Sequence, residues 1–378
     1  MTGDERIAVI GAGIGGLVAA AALQRDGHDV VVLEQHQEAG AVGAGLTLFA
    51  NAFDALTDVG LDEVVRGVSG SPMASMRSGQ RLPSGQWATV LPQEAVATLR
   101  SVHRADLHRA LLDALEPGTL RTGNRGKVSA GGDAEVSVDG HTERFDLVVV
   151  ADGLRSQNRQ ILGLDPGLRY AGYTAWRGVT AEPFDIGGEA GETWGRGRRF
   201  GIVPLPDGRV YWFATHTTAA DLRVEDELNT LRTLFASWHQ PIDELLLATP
   251  AEAVLRHDIH DLAAPLRSFI KDRTVLLGDA AHAMTPDLGQ GAGQAVEDAV
   301  TLALLLRSTP IDEALSRYDA LRRPRTRVLW KRSRQMGAMG QLAHPVGVRL
   351  RDTAVRATPD RLVSVASERL QSWTPPLP

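Results

Sequence analysis

The sequence predicts an α/β fold in which an antiparallel sheet is inserted into a domain built on a parallel sheet. Three short apolar runs predict buried parallel strands, and small or acidic residues follow each of them. The runs lie at Arg6–Ile10, Leu147–Ala151 and Val275–Leu277. Between the second and third runs, the pattern is instead typical of hairpin-connected strands. We therefore expect the parallel sheet to be assembled from distant parts of the chain.

The composition limits the possible classes of protein. The 378 residues favour about two domains, and 43% hydrophobic and 23% charged residues are ordinary for a globular protein. A net charge of −6 does not suggest a nucleic-acid-binding face. Because cysteine is absent, thiolate metal sites and a cysteine nucleophile are excluded, and redox chemistry would need a cofactor. No signal peptide or apolar run of roughly 18 residues is visible, so we expect a cytoplasmic protein without a membrane span.

A phosphate-binding pattern follows the first strand. Gly11, Gly13 and Gly16 form G-x-G-x-x-G at the start of a helical stretch. The first glycine permits a tight turn, the second lets a pyrophosphate approach, and the third lets helix and strand pack closely. A second apolar strand, Val30–Leu33, ends in Glu34, where an acid can accept hydrogen bonds from ribose hydroxyls. This unit predicts dinucleotide binding.

The stretch 274–299 predicts a second site for negative charge. Its strand ends in Gly278-Asp279, and a loop through Pro286 leads to Gly289-Gln290-Gly291-Ala292, which opens a helix. A glycine-rich helix start presents free N–H groups and a partial positive charge, which suit a phosphate or the anionic edge of a reduced ring. Asp279 can accept hydrogen bonds from sugar hydroxyls. By itself the stretch also fits an ordinary strand–loop–helix unit.

Three ordered motifs together resemble those of the FAD-dependent aromatic hydroxylases, the single-component flavoprotein monooxygenases. They are Gly11-Ala12-Gly13-Ile14-Gly15-Gly16, Asp152-Gly153-Leu154-Arg155-Ser156 and Gly278-Asp279-Ala280-Ala281-His282. The resemblance extends to about Arg334, and it is closest to the branch of salicylate-type and heteroaromatic hydroxylases and zeaxanthin-type epoxidases. It implies a Rossmann-type FAD-binding domain, with a parallel sheet plus a β-meander, and NAD(P)H as co-substrate.

The resemblance extends to further cofactor residues. Arg104 resembles the family's arginine that reaches FAD, although a solvated helix arginine is the alternative. Asp152 and Gly153 match a segment that touches FAD and the reduced nicotinamide, while Asp152 also fits a plain helix N-cap. Gly45 and Leu46 fall in the segment that passes the flavin's ribityl chain and ring, although a loop and a packing helix fit there too.

A different pattern, at residues 164–273, predicts the substrate domain. Tyr170–Gly178 is typical of a strand, and Phe200–Leu205 and Arg209–His216 flank a Pro-Asp-Gly turn and form a hairpin. In its second strand, Tyr211 and Phe213 share one face, and Trp212 and Ala214 the other. The sequence does not say which face meets the flavin.

The candidate catalytic and substrate-contacting residues are spread over this domain and the loop before the second glycine-rich helix. Pro286 would wall the oxygen site, and Asp287 would either hydrogen-bond a substrate or fix the loop. His216 would act as a base on a phenol or serve a structural role. The full set is Arg177, Tyr211, Trp212, His216, Pro286 and Asp287. No metal site is predicted.

The domain boundaries follow from these assignments. The FAD-binding domain comprises 1–70, 98–163 and 272–330, the substrate domain 71–97 and 164–271, and a helical tail 331–378. We expect helices ending near Arg307 and spanning Ile311–Met336, the second interrupted at Pro324.

The family mechanism implies that NAD(P)H reduces FAD, dioxygen adds to form a C4a-hydroperoxide, and one oxygen atom passes to an electron-rich ring carbon. The partners would be dioxygen and a small aromatic or alkene substrate. Epoxidation of an alkene or indole-type bond is the alternative with the same cofactor. A flavin dehydrogenase or oxidase, or a non-catalytic binding protein with a dinucleotide fold, is a further alternative. One departure is Gly293, where the family commonly has asparagine, so a side-chain contact to the flavin ring is absent.

Overall fold

The computed structural model describes residues 5–38, 40 and 44–376, so part of the predicted ribityl segment, 39 and 41–43, lies outside the described residues. The strands are, in chain order, β1 (Arg6–Ile10), β2 (Asp29–Leu33), β3 (Gly45–Leu48), β4 (Arg77–Arg81), β5 (Trp87–Val90), β6 (Arg100–His103), β7 (Leu120–Arg121), β8 (Lys127–Val128), β9 (Glu135–Val138), β10 (His141–Arg144), β11 (Leu147–Val150), β12 (Leu168–Val179), β13 (Glu189–Trp194), β14 (Arg198–Pro204), β15 (Val210–Thr217), β16 (Leu255–Leu262), β17 (Ile270–Lys271) and β18 (Thr274–Leu276). The helices are α1 (Ile14–Arg25), α2 (Ala50–Asp58), α3 (Asp62–Arg66), α4 (Gln93–Val96), α5 (Arg104–Asp113), α6 (Gln157–Ile161), α7 (Glu227–Phe235), α8 (Ile242–Leu247), α9 (Asp279–His282), α10 (Gly291–Ser308), α11 (Ile311–Gly340), α12 (Pro345–Ala357) and α13 (Asp360–Gln371).

A six-stranded sheet runs in the order β17-β18-β11-β1-β2-β7. Its strands pair in parallel from β18 to β7, and β17 closes one edge antiparallel. The central strands consist of buried apolar residues such as Val9, Val149 and Val275, as expected for a parallel sheet covered on both faces. Because parallel strands end at the same edge, the residues that follow β1, β11 and β18 come together there.

Glycines allow close packing around α1. A β-carbon at Gly16 would lie 2.1 Å from the Gly11 carbonyl oxygen, and one at Gly15 would lie 3.0 Å from the Ala295 β-carbon. The helices α1 and α10 are in contact at this point. The small residues therefore let the two glycine-rich helix starts approach the same edge of the sheet.

A seven-stranded sheet runs in the order β16-β12-β15-β14-β13-β4-β5. It is antiparallel except where β13 pairs with β4. The predicted hairpin is present as β14 and β15, with Val203 opposite Tyr211. One face carries Trp212 and Phe200 and is covered by α7 and α8. The antiparallel sheet thus takes strands from two separate chain segments.

Two smaller sheets complete the β-structure that the model describes. The strands β8, β9 and β10 form the predicted meander, and β3 pairs with β6. The predicted fold class, a parallel-sheet domain with a meander, an antiparallel sheet and C-terminal helices, is confirmed.

The predicted interruption at Pro324 is wrong, because α11 continues from Ile311 to Gly340. Proline removes one backbone donor and crowds the preceding turn. Its neighbours Arg322 and Arg325 both donate hydrogen bonds to the buried Glu297 on α10. These contacts hold the helix on both sides of the proline.

The C-terminal helices pack on the segment around β5 and α4. The helix α12 contacts β5, and α13 contacts α4. Ser367 and Gln371 both donate to the Ala95 carbonyl oxygen, while Trp373 packs against the main core. None of the helices in the described ranges has the length and apolarity that crossing a bilayer requires.

Candidate active site

The first two motif loops touch each other. Gly11 has φ +107°, and a β-carbon there would lie 2.5 Å from the Ala151 carbonyl oxygen. It would also lie 3.1 Å from the Asp152 nitrogen. Glycine is therefore required at this position for both backbone conformation and space, and it brings the fingerprint against the Asp-Gly motif.

The start of α1 is open to a ligand. Gly13 is exposed and precedes the helix, and no side chain of the described residues caps it. A β-carbon at Gly13 would meet nothing within 4 Å. The first N–H groups of α1 and the positive end of its dipole therefore face open space, which suits an anion.

Glu34 is fixed at the end of β2 beside this helix start. Its two carboxylate oxygens accept hydrogen bonds from the Ala12 N–H at 3.0 Å and the His36 N–H at 2.9 Å. The side chain of His108 supports the same turn through the Ala12 carbonyl oxygen at 2.7 Å. Each carboxylate oxygen keeps accepting capacity, so a sugar hydroxyl can still bind.

The two carboxylate oxygens of Asp152 differ in their hydrogen bonding. Its Oδ2 accepts from the backbone N–H of Asn158 at 3.3 Å and from its Nδ2 at 3.0 Å. Among the described residues, its buried Oδ1 has no hydrogen-bond partner. Ser156, not Asp152, caps α6, because its Oγ accepts from the Arg159 N–H at 2.9 Å. An unpaired buried oxygen is costly, which favours a ligand at Asp152.

Asp279 and Arg104 face the same cleft. Asp279 is exposed on the cleft side but surrounded by protein, and this desolvation raises the pKa of its carboxyl even though His282 and Arg104 act in the opposite direction. Arg104 opens α5 and anchors β3 through a hydrogen bond from its N–H to the Ala44 carbonyl oxygen, 2.9 Å. Its exposed guanidinium is thus positioned to meet an anionic group.

A left-handed glycine precedes the start of α10. Gly289 has φ +64°, and Gln290 follows as the residue before the helix. No side chain in the described ranges caps this end, and a β-carbon at Gly291 would meet nothing within 4 Å. Gln290 itself is buried, and its Oε1 accepts from Asn51 at 3.1 Å. The backbone of Gly291 and Ala292 therefore provides the donors that the start of α10 can offer a cofactor.

A buried ionic network holds this helix start from behind. Glu297 accepts hydrogen bonds from Asn51 at 2.6 Å, from Gln294 at 2.9 Å and from both Arg322 and Arg325. The arginine charges and the hydrogen bonds lower the pKa of the Glu297 carboxyl, against the effect of burial. The first turn of α2 is thereby fixed to α10.

Asp298 connects the same network to the Gly-Asp motif. Its Oδ2 accepts from the Gly278 N–H at 2.8 Å and from His282 Nε2 at 2.5 Å, and its Oδ1 accepts from Arg322 at 2.6 Å. Burial would raise the pKa of Asp298, but His282 and Arg322 lower it to about 2. Glu297 and Asp298 thus fix both loops that border the cleft.

The face of the antiparallel sheet that carries Tyr211 and Phe213 borders the cleft. A β-carbon at Gly45 of β3 would lie 2.4 Å from the Tyr211 ring, so the sheet and β3 are in close contact. Phe213 pairs with Arg177 on one side and Gly201 on the other. Leu46 packs on the main core. The face of β15 that carries Tyr211 and Phe213 is therefore the one that borders the cleft, a choice that the sequence did not decide.

Asp287 is fully buried at its side chain and ties the loop before α10 to the sheet. It accepts a hydrogen bond from the Tyr173 hydroxyl at 2.8 Å and pairs with Arg199. Burial alone would lower the pKa of Arg199, and Glu192 and Asp287 together raise it. In this arrangement Asp287 fixes the loop, while the neighbouring Pro286 is exposed.

His216 does not lie in the cleft. The prediction that it acts as a base on a phenolic substrate is therefore corrected. His216 lies opposite Thr174 and Arg198 in the sheet, on the face shared with Trp212 and Ala214. That face packs on α7 and α8. Burial and then Arg198 lower the pKa of His216. The same alternation removes Trp212 from the substrate candidates.

Four residues that border or support the site were not identified from the sequence. They are Asn51, Tyr173, Arg199 and His257. Side chains alternate between the two faces of a strand, and Tyr173 is four positions before Arg177, so both lie on the cleft face of β12. The others depend on contacts between distant segments, such as the approach of Arg199 to Asp287, which no local pattern contains.

The comparisons with known proteins agree with this geometry. The family model described as FAD binding domain matches residues 4–333. Aurachin C monooxygenase/isomerase of Stigmatella aurantiaca is 36% identical over 98% of this chain and 98% of its own length. The chain belongs to the FAD-dependent flavoprotein monooxygenases.

Other flavoprotein monooxygenases show a similar extent of agreement. The FAD-dependent urate hydroxylase of Klebsiella pneumoniae is 34% identical, covering 86% of this chain and 88% of the relative. The crystal structure of Klebsiella pneumoniae HpxO complexed with FAD and uric acid has a TM-score of 0.88 at 30% identity, covering 98% of this chain and 97% of that one. A salicylate hydroxylase substrate complex, at 24% identity and a TM-score of 0.76, shares the fold.

The comparisons show that the protein is an oxidoreductase of this family, and the residues of the cleft fit FAD. Two open helix starts can take a pyrophosphate and an anionic ring edge. The exposed Asp279 can accept from ribityl hydroxyls and the half-buried Glu34 from ribose hydroxyls, and the unpaired Asp152 Oδ1 offers a further acceptor. The polar groups are thus complementary to a dinucleotide with a ring at one end.

Proposed function

We propose that the protein uses NAD(P)H and dioxygen to hydroxylate a small aromatic or heteroaromatic compound. The observation that carries this proposal is the contact of the Tyr211 face with β3 and of Tyr173 with Asp287 beside α10. These contacts make one cleft from a cofactor edge and a largely apolar wall. The relatives support an aromatic substrate, since their names include urate hydroxylase, 2-heptyl-3-hydroxy-4(1H)-quinolone synthase and 3-amino-4-hydroxybenzoate 2-monooxygenase.

Each polar group of the cleft has a role in binding and orienting the cofactor. FAD, when bound, supplies the redox chemistry that activates dioxygen. We assign the pyrophosphate to the start of α1 and to Arg104, the adenosine ribose to Glu34, and the ribityl hydroxyls to Asp279. The start of α10 stabilises negative charge on the ring. The full set proposed to contact FAD is Gly11, Gly13, Gly16, Glu34, Gly45, Leu46, Arg104, Asp152, Gly153, Asp279, Gly289, Gln290, Gly291 and Ala292.

The wall of the antiparallel sheet orients the substrate and excludes water. The half-buried Phe213 provides a flat apolar surface for a ring, and the buried Tyr211 packs beside it against β3. Pro286 closes the cleft near α10, and Asp287 holds that loop through Arg199 and Tyr173. We accordingly propose that 71–97 and 164–271 form the substrate-binding domain.

The test is isotopic labelling of the product. The holoenzyme, NADH or NADPH and a panel of phenols, hydroxybenzoates and 4-quinolones are incubated under ¹⁸O₂. We expect at least one product to carry a single ¹⁸O atom, with one equivalent of NAD(P)H consumed. Oxidised products without ¹⁸O would show a dehydrogenase or oxidase and would contradict the proposal.

A further inference from the structure

The cleft face of the antiparallel sheet carries a polar pair on two neighbouring strands. In the β12–β16 register, His257 lies opposite Ala175, two residues from Arg177, so the two side chains share the Tyr211 face. Arg177 Nη1 lies 3.5 Å from His257 Nδ1. The Arg177 charge also acts on the phenol of the neighbouring Tyr211, whose pKa is raised by burial and lowered, to a smaller extent, by this charge. The pair thus lies at one end of the wall, on the other side of Phe213 from Arg199 and Glu192.

This end of the wall is electropositive. Among the described residues, Arg177 contacts His257 and forms no ion pair with a carboxylate. Arg199, by contrast, is neutralised by Asp287. Arg104 also acts on His257, but the FAD pyrophosphate is proposed to pair with it, so Arg177 supplies the free charge at this end of the wall. The carboxylate of Glu192, which acts on Tyr211, lies two strands from β15 and pairs with Arg199. The field at the pair is therefore suited to an anion.

In their protonation states near neutral pH, Arg177 and His257 both have N–H groups that can donate hydrogen bonds. Burial, followed by the charges of Arg177 and Arg104, lowers the pKa of His257, so the imidazole is neutral near neutral pH. Because Nδ1 faces a guanidinium that can only donate, the ring proton resides on Nε2. Arg177 and His257 consequently present N–H groups to the cleft, which complement an acceptor oxygen.

We propose that Arg177 and His257 form an anion-recognition pair that selects substrates carrying a carboxylate or an ionised ring oxygen. This inference rests on the proposed function of the cleft. Arg177 on β12 and Arg199 on β14 are separated by β15, so their strands are about 10 Å apart. An aromatic ring stacked over Phe213 of β15 would reach from the pair toward the loop at Asp287. The pair determines which end of the ring faces outward.

The test compares two ligands of equal shape and different charge. Binding of 2-hydroxybenzoate and 2-hydroxybenzamide to the holoenzyme is followed by the change in flavin absorbance near neutral pH. We expect the carboxylate to bind at least about tenfold more tightly than the amide. Arg177→Gln should remove this preference, and Arg177→Lys should retain part of it. Arg223→Gln, which removes an exposed charge between β15 and α7, is the matched control and should leave the preference unchanged.

A pH series isolates the contribution of His257. Because the pKa of His257 is lowered, its imidazole gains a proton only at pH values below the ordinary histidine range. The added charge should then strengthen binding of the carboxylate, which stays ionised. His257→Gln should abolish this increase. The groups that face His257, Arg177 and Arg104, do not titrate in this range, and neither does the nearby Tyr211 phenol, whose pKa burial raises.

Three results would overturn the inference. They are equal affinity for the two ligands, no binding of either ligand, and an Arg177→Gln variant in which the binding of NAD(P)H is weakened instead. The last result would assign the pair to a nucleotide phosphate. Substrate-dependent ¹⁸O transfer in the same preparation would leave the proposed function intact in each of these cases. The failure of the pair is therefore distinguishable from the failure of the hydroxylase assignment.

Discussion

At the scale of single residues, the site depends on carboxylates whose surroundings differ sharply. Asp279 is exposed to the cleft, Asp287 is paired with Arg199, and Asp152 has one unpaired buried oxygen. The Asp-Gly and Gly-Asp motifs allowed Asp152 and Asp279 to be predicted from the sequence. The sequence could not predict that Asp287 is buried and paired, because its partners Arg199 and Tyr173 come from distant strands.

Asp279 provides the most direct residue-scale prediction. Replacing it with alanine removes an acceptor for sugar hydroxyls, and we expect FAD affinity to fall by about tenfold or more. Asp279→Asn keeps one acceptor oxygen and should lose less. The dissociation constant is measured by quenching of flavin fluorescence, with the exposed Asp312→Asn as control. An Asp279→Ala protein that purifies yellow with full affinity would contradict the assignment.

At the scale of elements, the two glycine-rich helix starts are prepared by different means. The sequence predicted both starts from their glycines, and the close packing of Gly15 on Ala295 explains one of them. The support of α10 was not predictable, because Glu297 and Asp298 bind arginines on α11 that are distant in sequence. Those contacts also explain why Pro324 does not interrupt α11.

The network predicts a specific acid dependence of stability. The pKa of Asp298 lies at about 2 in the folded protein and near its ordinary 3.8 when unfolded. A lowered acid pKa stabilises the fold above the unfolded pKa, so about 2 kcal/mol is present above pH 4 and is lost as the pH falls toward 2.

Urea unfolding of the wild-type and Asp298→Asn apoproteins between about pH 5 and 3 measures this contribution. We expect the variant to be less stable at about pH 5 and to show a flatter loss of stability on acidification. Asp312→Asn, which removes an exposed partner of Arg273, should leave the wild-type slope unchanged. An unchanged slope in Asp298→Asn would exclude the proposed role of the network.

At the scale of the whole molecule, the proposed site lies where two sheets of different origin meet. The parallel sheet was predictable because apolar strands and glycine-rich turns are local patterns. The sequence could not predict which face of the antiparallel sheet borders the cleft, or that His216 lies away from it. Both depend on the strand register and on α7 and α8, which cover Trp212. The packing of α12 and α13 on the segment around β5 likewise required the structure.

The measurement that tests the central claim most directly is the visible spectrum of the purified protein during anaerobic reduction. NADH or NADPH is added with and without the panel of small aromatic compounds. We expect an FAD spectrum that bleaches, and bleaches faster when one compound is present, because the cleft is formed by cofactor and substrate wall together. A protein that takes up no FAD, or whose flavin neither nucleotide ever bleaches, would contradict the account.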